Sequence, residues 1–220
     1  MITPKEEDYI LNKAYIPEHI VGLIYPISKG EPFLINDYIC FSKENWLIFV
    51  GYPLNSDMNE KKLEETLHNT IEKLRSEYIW LIAPKLPFSC MRFCQEKESD
   101  QYYKLDLQGL SIKKNLNYRV RRTLRNLTIE KSRNISTEHR ELILEFLNMK
   151  KPNPYVKQLF LCMPEYVTQS KTSMVLNAWD KKGDLSAFYI VELAAKNFAT
   201  YVVGCHSKQN YVSGASDLLF

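Results

Sequence analysis

The feature that most constrains the fold is a group of three strand-like runs near the end of the chain. The runs are Ser173–Asp180, Leu185–Ala195 and Phe198–Cys205, and they are rich in β-branched and aromatic residues. They are separated by four and by two residues. Connections this short join strands as antiparallel hairpins, because a parallel pair needs a crossover of about a dozen residues or more. The sequence therefore predicts an antiparallel meander whose second turn is Lys196-Asn197.

A polar loop follows the meander. The residues HSKQNYVSG connect Cys205 to the apolar segment Ala215–Phe220, which begins like a helix. A strand that runs into a glycine loop at a helix start is a common anion-binding corner, because backbone N–H groups converge there. We therefore expect the functional site at this corner or on a basic surface beside it.

The N-terminal part predicts a β-β-α-β unit. Pro32–Phe41 and Asn45–Tyr52 have the pattern of a hairpin. A helix follows, with Asp57 and Glu60 at the spacing of a capping box. Its apolar stripe consists of Leu63, Leu67, Ile71, Leu74 and Tyr78. The apolar run Tyr78–Ala83 then predicts a buried strand.

The middle of the chain alternates between strand and helix patterns. Short strands are predicted at Tyr102–Leu107 and Thr128–Lys131. A helix capped by Ser136 or Thr137 follows, and a second helix is predicted over Tyr155–Met163, before Pro164. The whole pattern predicts an α+β protein with mixed sheets in two similar halves. We place these halves at residues 1–107, with the β-β-α-β core at 32–83, and at residues 108–220.

A strongly basic helix is predicted between these elements. Its apolar face consists of Ile112, Leu116, Val120, Leu124 and Leu127. Opposite this face lie Lys114, Arg121, Arg122 and Arg125, with Arg119 at the edge. Guanidinium groups at this density suit bidentate phosphate contacts, so RNA or a phosphorylated cofactor is a natural partner. The alternative is a solvated face of a cytosolic helix, with or without pairing of its cations to acidic residues of the first half.

Composition and the terminal sequence indicate the partners, metal content and cellular location to expect. The formal net charge is +3, which by itself does not indicate nucleic-acid binding. The chain has five cysteines, but they are not accompanied in sequence by the second cysteine pair or the histidines that would complete a zinc site. We therefore predict reduced thiols and no metal. The first residues, MITPKEEDYILNK, have no apolar signal region, and no run is long enough for a membrane helix. A cytoplasmic protein is expected.

Several of these stretches resemble a known superfamily. The string LSIKKNLNYRVRRTLRNLTIEKS resembles the arginine-rich helix of Fem-type aminoacyl transferases, and LSAFYIVELAAKNFATYVVGCHSKQNYVSGASDLLF resembles their central strands and following loop. DYICFSKENWLIFVGYPL, SDQYYKLDL and GASDLLF are similar to bacterial DUF2156 proteins, which are related to the C-terminal domain of phosphatidylglycerol lysyltransferase. The resemblance extends from about residue 30 to the end.

The resemblance implies two GNAT-like domains in tandem, the second lacking the full helix and the strand that would complete it. It implies an acyl donor lying against Phe198–Cys205, with the donor phosphates at the amides of Ser213, Gly214, Ala215 and Ser216. The usual acetyltransferase loop is Gln/Arg-x-x-Gly-x-Gly/Ala, of which this chain matches the central glycine. Either acyl-CoA or aminoacyl-tRNA is therefore expected as the co-substrate, with no tightly bound cofactor.

Transfer of this kind needs a base for the acceptor and an acid for the leaving group. Glu192 is the candidate base, and Tyr201 or Tyr211 the candidate acid. Each has a structural alternative, which is an exposed strand end for Glu192 and packing for the tyrosines. Cys205-His206 is a weaker candidate pair, because adjacent residues of a strand point to opposite faces.

The sequence thus leads to two functional hypotheses. The first is a GNAT-like transferase that acts on a small-molecule, lipid or peptide amine or on a hydroxyl acceptor, with the shortened form of doubtful activity. The second is a non-enzymatic RNA- or anion-binding module that uses the basic helix 112–127. An incomplete second sheet would also allow a homodimer to form through its open edge.

Overall fold

The computed structural model describes residues 2–55 and 58–219. The chain divides into two compact units, of which one comprises Met1–Glu98 and Ala194–Ala199 and the other Ser99–Leu193 and Thr200–Phe220. Each unit contains a four-stranded sheet with helices, so the predicted α+β class is confirmed; the first sheet is mixed and the second is antiparallel. The predicted boundary after residue 107 remains a prediction.

The first unit has its strands in the order β1-β2-β3-β4. The strands are β1 Glu31–Ile35, β2 Tyr38–Lys43, β3 Trp46–Val50 and β4 Tyr78–Ile82, and the helices are α1 Pro4–Lys13, α2 Val21–Ser28 and α3 Glu60–Leu74. The first three strands are antiparallel, and β4 is parallel to β3. This parallel pair follows from the sequence, because α3 is long enough to cross over the sheet between them.

The predicted first strand is in fact a hairpin. Asn36 and Asp37 form its turn with φ of 48° and 70°, a left-handed conformation that asparagine and aspartate tolerate better than most residues. The prediction of one strand over Pro32–Phe41 was therefore wrong, and the unit is β-β-β-α-β. Asp37 also accepts a hydrogen bond from the Tyr9 hydroxyl at 2.7 Å, which ties the turn to α1.

Helix α3 begins later than predicted. Its N-cap is Asn59, whose side chain accepts from the Lys62 N–H at 3.1 Å. The predicted cap, Asp57, lies outside the described residues. Four residues of the predicted apolar stripe lie on α3, with Leu63 and Leu67 buried against the sheet, but the fifth, Tyr78, belongs to β4.

Strand β4 forms where predicted, but it is not buried. Ile79 is 41% exposed and Trp80 is 40% exposed. Within the described residues, β4 pairs with β3 alone, so it is an edge strand of the sheet. The apolar run had predicted a buried strand, but a strand at the edge of the sheet has part of its surface uncovered.

The connection between the two sheets contains little regular structure. A 3₁₀ helix covers Phe88–Phe93. The predicted strand Tyr102–Leu107 does not form. Its side chains are exposed, and no described strand lies beside it to satisfy its backbone groups.

The second unit has its strands in the order β5-β6-β7-β8, all antiparallel. The strands are β5 Leu127–Ser132, β6 Ser173–Asp180, β7 Leu185–Glu192 and β8 Thr200–His206, and the helices are α4 Lys114–Thr123, α5 Thr137–Lys150, α6 Pro154–Gln169 and α7 Ala215–Leu219. The predicted meander is thus present, with β5 added at its edge.

The link between β7 and β8 differs from the predicted two-residue turn. Both strands are shorter than expected, and residues 193–199 connect them. Residues 194–199 pack with the first unit, where the Lys196 N–H donates to the Leu11 carbonyl at 3.1 Å. The Asn197 side chain donates to the Asn12 carbonyl, also at 3.1 Å. These bonds to the end of α1 replace the ladder bonds that a tight hairpin would have made.

Helix α6 continues through Pro164, where the sequence had predicted an end. The residues after the proline are buried, with Tyr166 fully buried and Val167 nearly so. Burying two large side chains is worth about 3 kcal/mol or more, which offsets the cost of about 3 kcal/mol for a proline inside a helix.

Candidate donor-binding site

The sheet of the second unit separates the predicted site residues onto two faces. Paired residues of neighbouring strands point to the same face, and successive residues alternate. Val191 pairs with Tyr201, and Glu192 pairs with Thr200. Tyr201 therefore lies on the face of Tyr189 and Val191, and Glu192 lies on the opposite face. The cluster that contains Ala215 and Leu219 of α7 packs on the face of Tyr189.

The glycine loop is held against helix α4. Gly214 has φ of 84°, and a Cβ at this position would come within 2.5 Å of Thr123 Oγ1. The Thr123 hydroxyl is within hydrogen-bond distance of the Ser213 carbonyl, at 3.0 Å, and of the Arg119 carbonyl, at 2.9 Å. Both the backbone conformation and the space therefore require glycine at residue 214.

The amides of this loop are only partly open. The Ala215 N–H donates to the Val212 carbonyl at 3.1 Å, so it is already used. Among the described residues, the N–H groups of Ser213, Gly214 and Ser216 have no hydrogen-bond acceptor. These three groups are the ones that could meet an anion.

Helix α4 is shorter and more exposed than predicted. Leu116 and Val120 are half-buried, while Ile112 precedes the helix and Leu124 follows it, both largely exposed. Leu127 is buried, but in β5. The expected five-residue buried face was therefore wrong, because the chain leaves the helix after Thr123 to enter the sheet.

The cations of α4 are mostly unpaired. Arg119 forms an ion pair with Asp217 at 3.4 Å, between two partly exposed side chains, which links α4 to α7. Arg121, Arg122 and Arg125 are exposed and form no ion pair with any residue of 2–55 or 58–219.

Glu192 is fully buried at the end of β7. Its Oε2 accepts hydrogen bonds from the Tyr166 hydroxyl and from Ser170 Oγ, the latter at 3.2 Å. Its Oε1 accepts from the Leu193 N–H at 2.8 Å. Burial, together with the bond to Glu192, raises the pKa of Tyr166. Three donors thus satisfy a carboxylate that would otherwise be costly to bury.

Tyr201 is half-exposed on the other face. Its ring packs edge-on against Tyr189, with the ring centroids 4.9 Å apart, and its hydroxyl lies over Gly204, 2.7 Å from where a Cβ would be. Burial and the neighbouring Tyr189 raise the pKa of Tyr201 to about 12, so the phenol keeps its proton at neutral pH. Tyr211 is exposed, with its ring 6.0 Å from that of His206.

The pair Cys205-His206 does not form a reactive dyad. Cys205 is buried, and burial raises the pKa of its thiol to about 12. A thiol with this pKa is protonated at neutral pH and is a poor nucleophile.

Sequence reasoning missed Thr123, which contacts the glycine loop from 90 residues away. Nothing in the local pattern singles out a threonine inside an arginine-rich helix. It also missed the buried His139, which hydrogen-bonds to Asn177 at 2.9 Å. The spacing from Ser136, the N-cap of α5, to residue 139 is that of a capping box and could have indicated it.

None of the helices within 2–55 and 58–219 is long and apolar enough to span a membrane. Over these ranges, no three His, Cys, Asp or Glu side chains are grouped so that they could hold a metal ion.

Solved structures share this fold at low sequence identity. The C-terminal DUF2156 domain of a putative lysylphosphatidylglycerol synthetase from Agrobacterium fabrum matches 98% of this chain and 71% of its own, with 14% identity and a TM-score of 0.57. L-PGS from Bacillus licheniformis matches 99% of this chain and 72% of its own, with 16% identity and a TM-score of 0.56.

A conserved protein of unknown function from Bacteroides thetaiotaomicron matches 99% of this chain and 83% of its own, with 12% identity and a TM-score of 0.58. Neither a protein-family model nor a curated protein matches the sequence. The predicted resemblance to DUF2156 domains is thus confirmed at the level of the fold.

Proposed function

We propose that the protein is an acyl- or aminoacyltransferase, which moves an acyl group from a CoA thioester or an aminoacyl-tRNA to an amine or hydroxyl acceptor. The observation that carries this proposal is the contact between the glycine loop and α4, in which the Thr123 hydroxyl lies 3.0 Å from the Ser213 carbonyl. It holds the glycine loop, with its open backbone N–H groups, against the end of α4. Both donors carry phosphates, which such N–H groups can bind.

In this proposal the donor phosphates meet the N–H groups of Ser213, Gly214 and Ser216. Ala215 contributes the turn that orients them, because its own N–H is bonded to Val212. Gly214 lets the loop lie directly against Thr123, since it has no side chain. No resident cofactor is needed, because the donor is itself a co-substrate.

The chemical step is an acyl transfer. The acceptor nitrogen or oxygen attacks the donor carbonyl carbon, and a new C–N or C–O bond forms. The C–S bond of the thioester, or the C–O ester bond to the tRNA, breaks. The acceptor loses one proton, and the leaving thiolate or ribose oxygen takes one up.

Tyr201 is our candidate for the acid that protonates the leaving group. Its phenol is protonated at neutral pH, although the pKa raised to about 12 makes it a weaker acid than an ordinary tyrosine, and the residue is half-exposed on the sheet face. Glu192 lies on the opposite face and already accepts from Tyr166, Ser170 and Leu193. We therefore assign to Glu192 the role of holding the end of β7, rather than that of the base.

The descriptions of the structural neighbours suggest which donor and acceptor to test first. Two of these are described as lysylphosphatidylglycerol synthetases, so lysyl-tRNA with phosphatidylglycerol vesicles is the first pair. Acetyl-CoA with a lysine-containing peptide represents the other donor class. Label from at least one donor should appear in its acceptor.

The variant that tests the site is Tyr201→Phe, which removes only the hydroxyl. The transfer rate should fall about 100-fold, the range expected for loss of a general acid, with no change in the thermal midpoint. Tyr155→Phe, at an exposed tyrosine of α6, is the matched control and should keep the full rate. The proposal fails if the folded protein transfers nothing from either donor and neither donor raises its thermal midpoint.

A second candidate function is a non-enzymatic RNA- or anion-binding module. It is favoured by the exposure of Arg121, Arg122 and Arg125 without acidic partners among the described residues. Together with Lys114, these side chains would contact phosphates, and tRNA binding would weaken steeply with salt. A tRNA affinity that does not change with salt would argue against it.

A further inference from the structure

A surface of mixed character lies on the second unit at residues 107–125. It combines exposed aliphatic side chains at Leu107, Leu110 and Ile112 with the outward face of α4. Six lysines and arginines, and no acidic residue, occur between Leu107 and Ile129. We call residues 107–125 the basic-apolar surface.

The outward face of α4 is a tyrosine surrounded by cations. Residues three and four positions apart are neighbours on a helix, so Tyr118 lies among Lys114, Arg121 and Arg122. Tyr118 is 69% exposed. The opposite side of the helix carries the half-buried Leu116 and Val120, and its end contacts the loop at Ser213. The cations therefore point away from the protein.

The aliphatic part of the surface directly precedes this helix. Leu107 is 72% exposed, Leu110 is 47% exposed and Ile112 is 53% exposed. Six residues of chain separate Leu107 from Lys114, so the two parts lie within about 25 Å of each other. Three exposed apolar side chains within six residues of chain thus form a short apolar segment beside the cations.

We propose that the basic-apolar surface docks on an anionic lipid bilayer. Lipid phosphates and RNA phosphates would both satisfy the cations, but RNA is bound through its phosphates and by stacking on aromatic rings. Leucine and isoleucine gain nothing from either contact. At a bilayer, apolar side chains enter the boundary of the acyl chains, tyrosine settles at the headgroup level, and cations add electrostatic attraction.

This docking does not depend on the proposed transfer reaction. It can therefore be measured on the full chain without any donor, by flotation with vesicles. Phosphatidylcholine vesicles are compared with vesicles that contain about 30% phosphatidylglycerol, a strongly anionic composition. We expect binding to the anionic vesicles, weakened by salt because the charges are exposed.

Two triple variants separate the two parts of the surface. Arg121→Gln/Arg122→Gln/Arg125→Gln should weaken binding to anionic vesicles about 100-fold, since each cation contributes about fivefold. Leu107→Ser/Leu110→Ser/Ile112→Ser keeps the charge and should weaken binding at least about tenfold, because it removes the apolar contribution. Lys171→Gln/Lys181→Gln/Lys182→Gln removes as much charge from exposed positions elsewhere in the unit and should bind within about twofold of the parent protein.

Several results would overturn the proposal. Absence of vesicle binding by the folded protein would do so, and so would equal binding to both kinds of vesicle. If the serine variant binds vesicles normally while tRNA displaces them, the surface is a polyanion site for RNA. If light scattering shows a dimer that the serine variant abolishes, and vesicles are not bound, a second copy of the chain covers the surface.

Failure of the transfer reaction is a separate result. A protein that binds anionic vesicles but transfers nothing would leave the docking proposal intact and remove the transferase proposal. A protein that transfers label to the peptide acceptor without binding vesicles would support the transferase proposal and remove the docking proposal.

Discussion

Gly214 has no side chain, and its surroundings leave room for none. Its φ of 84° is costly for other residues, and Thr123 Oγ1 occupies the place where a Cβ would be. The sequence indicated that a glycine loop follows the meander. It could not indicate the second requirement, because the atom that imposes it belongs to a residue 90 positions earlier.

We predict that Gly214→Ala destabilises the protein by about 3 kcal/mol, from left-handed strain and steric overlap together. Gly109→Ala is the matched control, since Gly109 has a similar φ of 78° but no atom within 4 Å of the Cβ position. It should cost only about 1 kcal/mol. Urea unfolding measures both, and equal costs would contradict the assigned overlap.

The role of Thr123 can be checked in the same series. In a Thr123→Ala background the nearest remaining side-chain atom is the Thr123 Cβ at 3.6 Å, an ordinary contact. The extra cost of Gly214→Ala over Gly109→Ala should then largely disappear. If it persists, another contact restricts residue 214.

At the scale of elements, a buried histidine ties helix α5 to the sheet. The Ser136 N–H donates to His139 Nδ1 at 3.1 Å, so the ring proton of the neutral histidine is on Nε2. Nε2 donates to Asn177 Oδ1 at 2.9 Å, and the Asn177 amide donates to Glu130 at 3.1 Å. The N-terminus of α5 is thus linked through β6 to β5.

This link should make stability depend on pH. Burial lowers the pKa of His139, and the bond to Asn177 and the charges of Glu138 and Glu130 oppose the shift only in part. The unfolded chain therefore binds a proton more readily, so stability is complete above about pH 6.5 and falls as the pH is lowered. His139→Gln should lose less stability than the parent protein between about pH 7.5 and 5 in urea unfolding.

The free energy of unfolding of the His139→Gln variant should still depend on pH to some extent. Burial lowers the pKa of His19, in the first unit, to about 4, and His19 Nε2 donates to the Tyr52 carbonyl at 2.8 Å. The two histidines should therefore contribute separately. If His139→Gln has the same pH slope as the parent protein, His139 does not titrate as described.

The elements that the sequence predicted well are those that local patterns determine. β6 has the predicted bounds, and Ser136 caps α5 as expected. The errors arise where a distant partner changed the outcome. The strand predicted at Tyr102–Leu107 found no neighbour, and the apolar β4 lies at a sheet edge.

At the scale of the whole molecule, the chain contributes to the first unit twice. Residues 194–199, which follow β7, pack with that unit through the bond from Lys196 to Leu11 and an ion pair from Lys196 to Asp8 at 3.0 Å. Residues 94–113, in contrast, form no helix or strand and are largely exposed. This connection is the natural place for a protease to cut.

We predict that trypsin cleaves first after Lys97 or Lys104. The two pieces should separate on a denaturing gel but elute together under native conditions, because residues 194–199 of the C-terminal piece stay bound to α1. Mass spectrometry identifies the cut. First cleavage within α3, at Lys61 or Lys62, or separation of the pieces in native buffer, would contradict this arrangement.

The sequence by itself determined the meander, the cap of α5 and the basic character of α4. Short connections and side-chain alternation permit few alternatives, so these features can be read locally. Only the tertiary structure decided that Glu192 and Tyr201 lie on opposite faces, that Thr123 meets the glycine loop and that residues 194–199 belong to the first unit. The physical reason is that each depends on contacts between residues far apart in the chain, which no local pattern of side chains specifies.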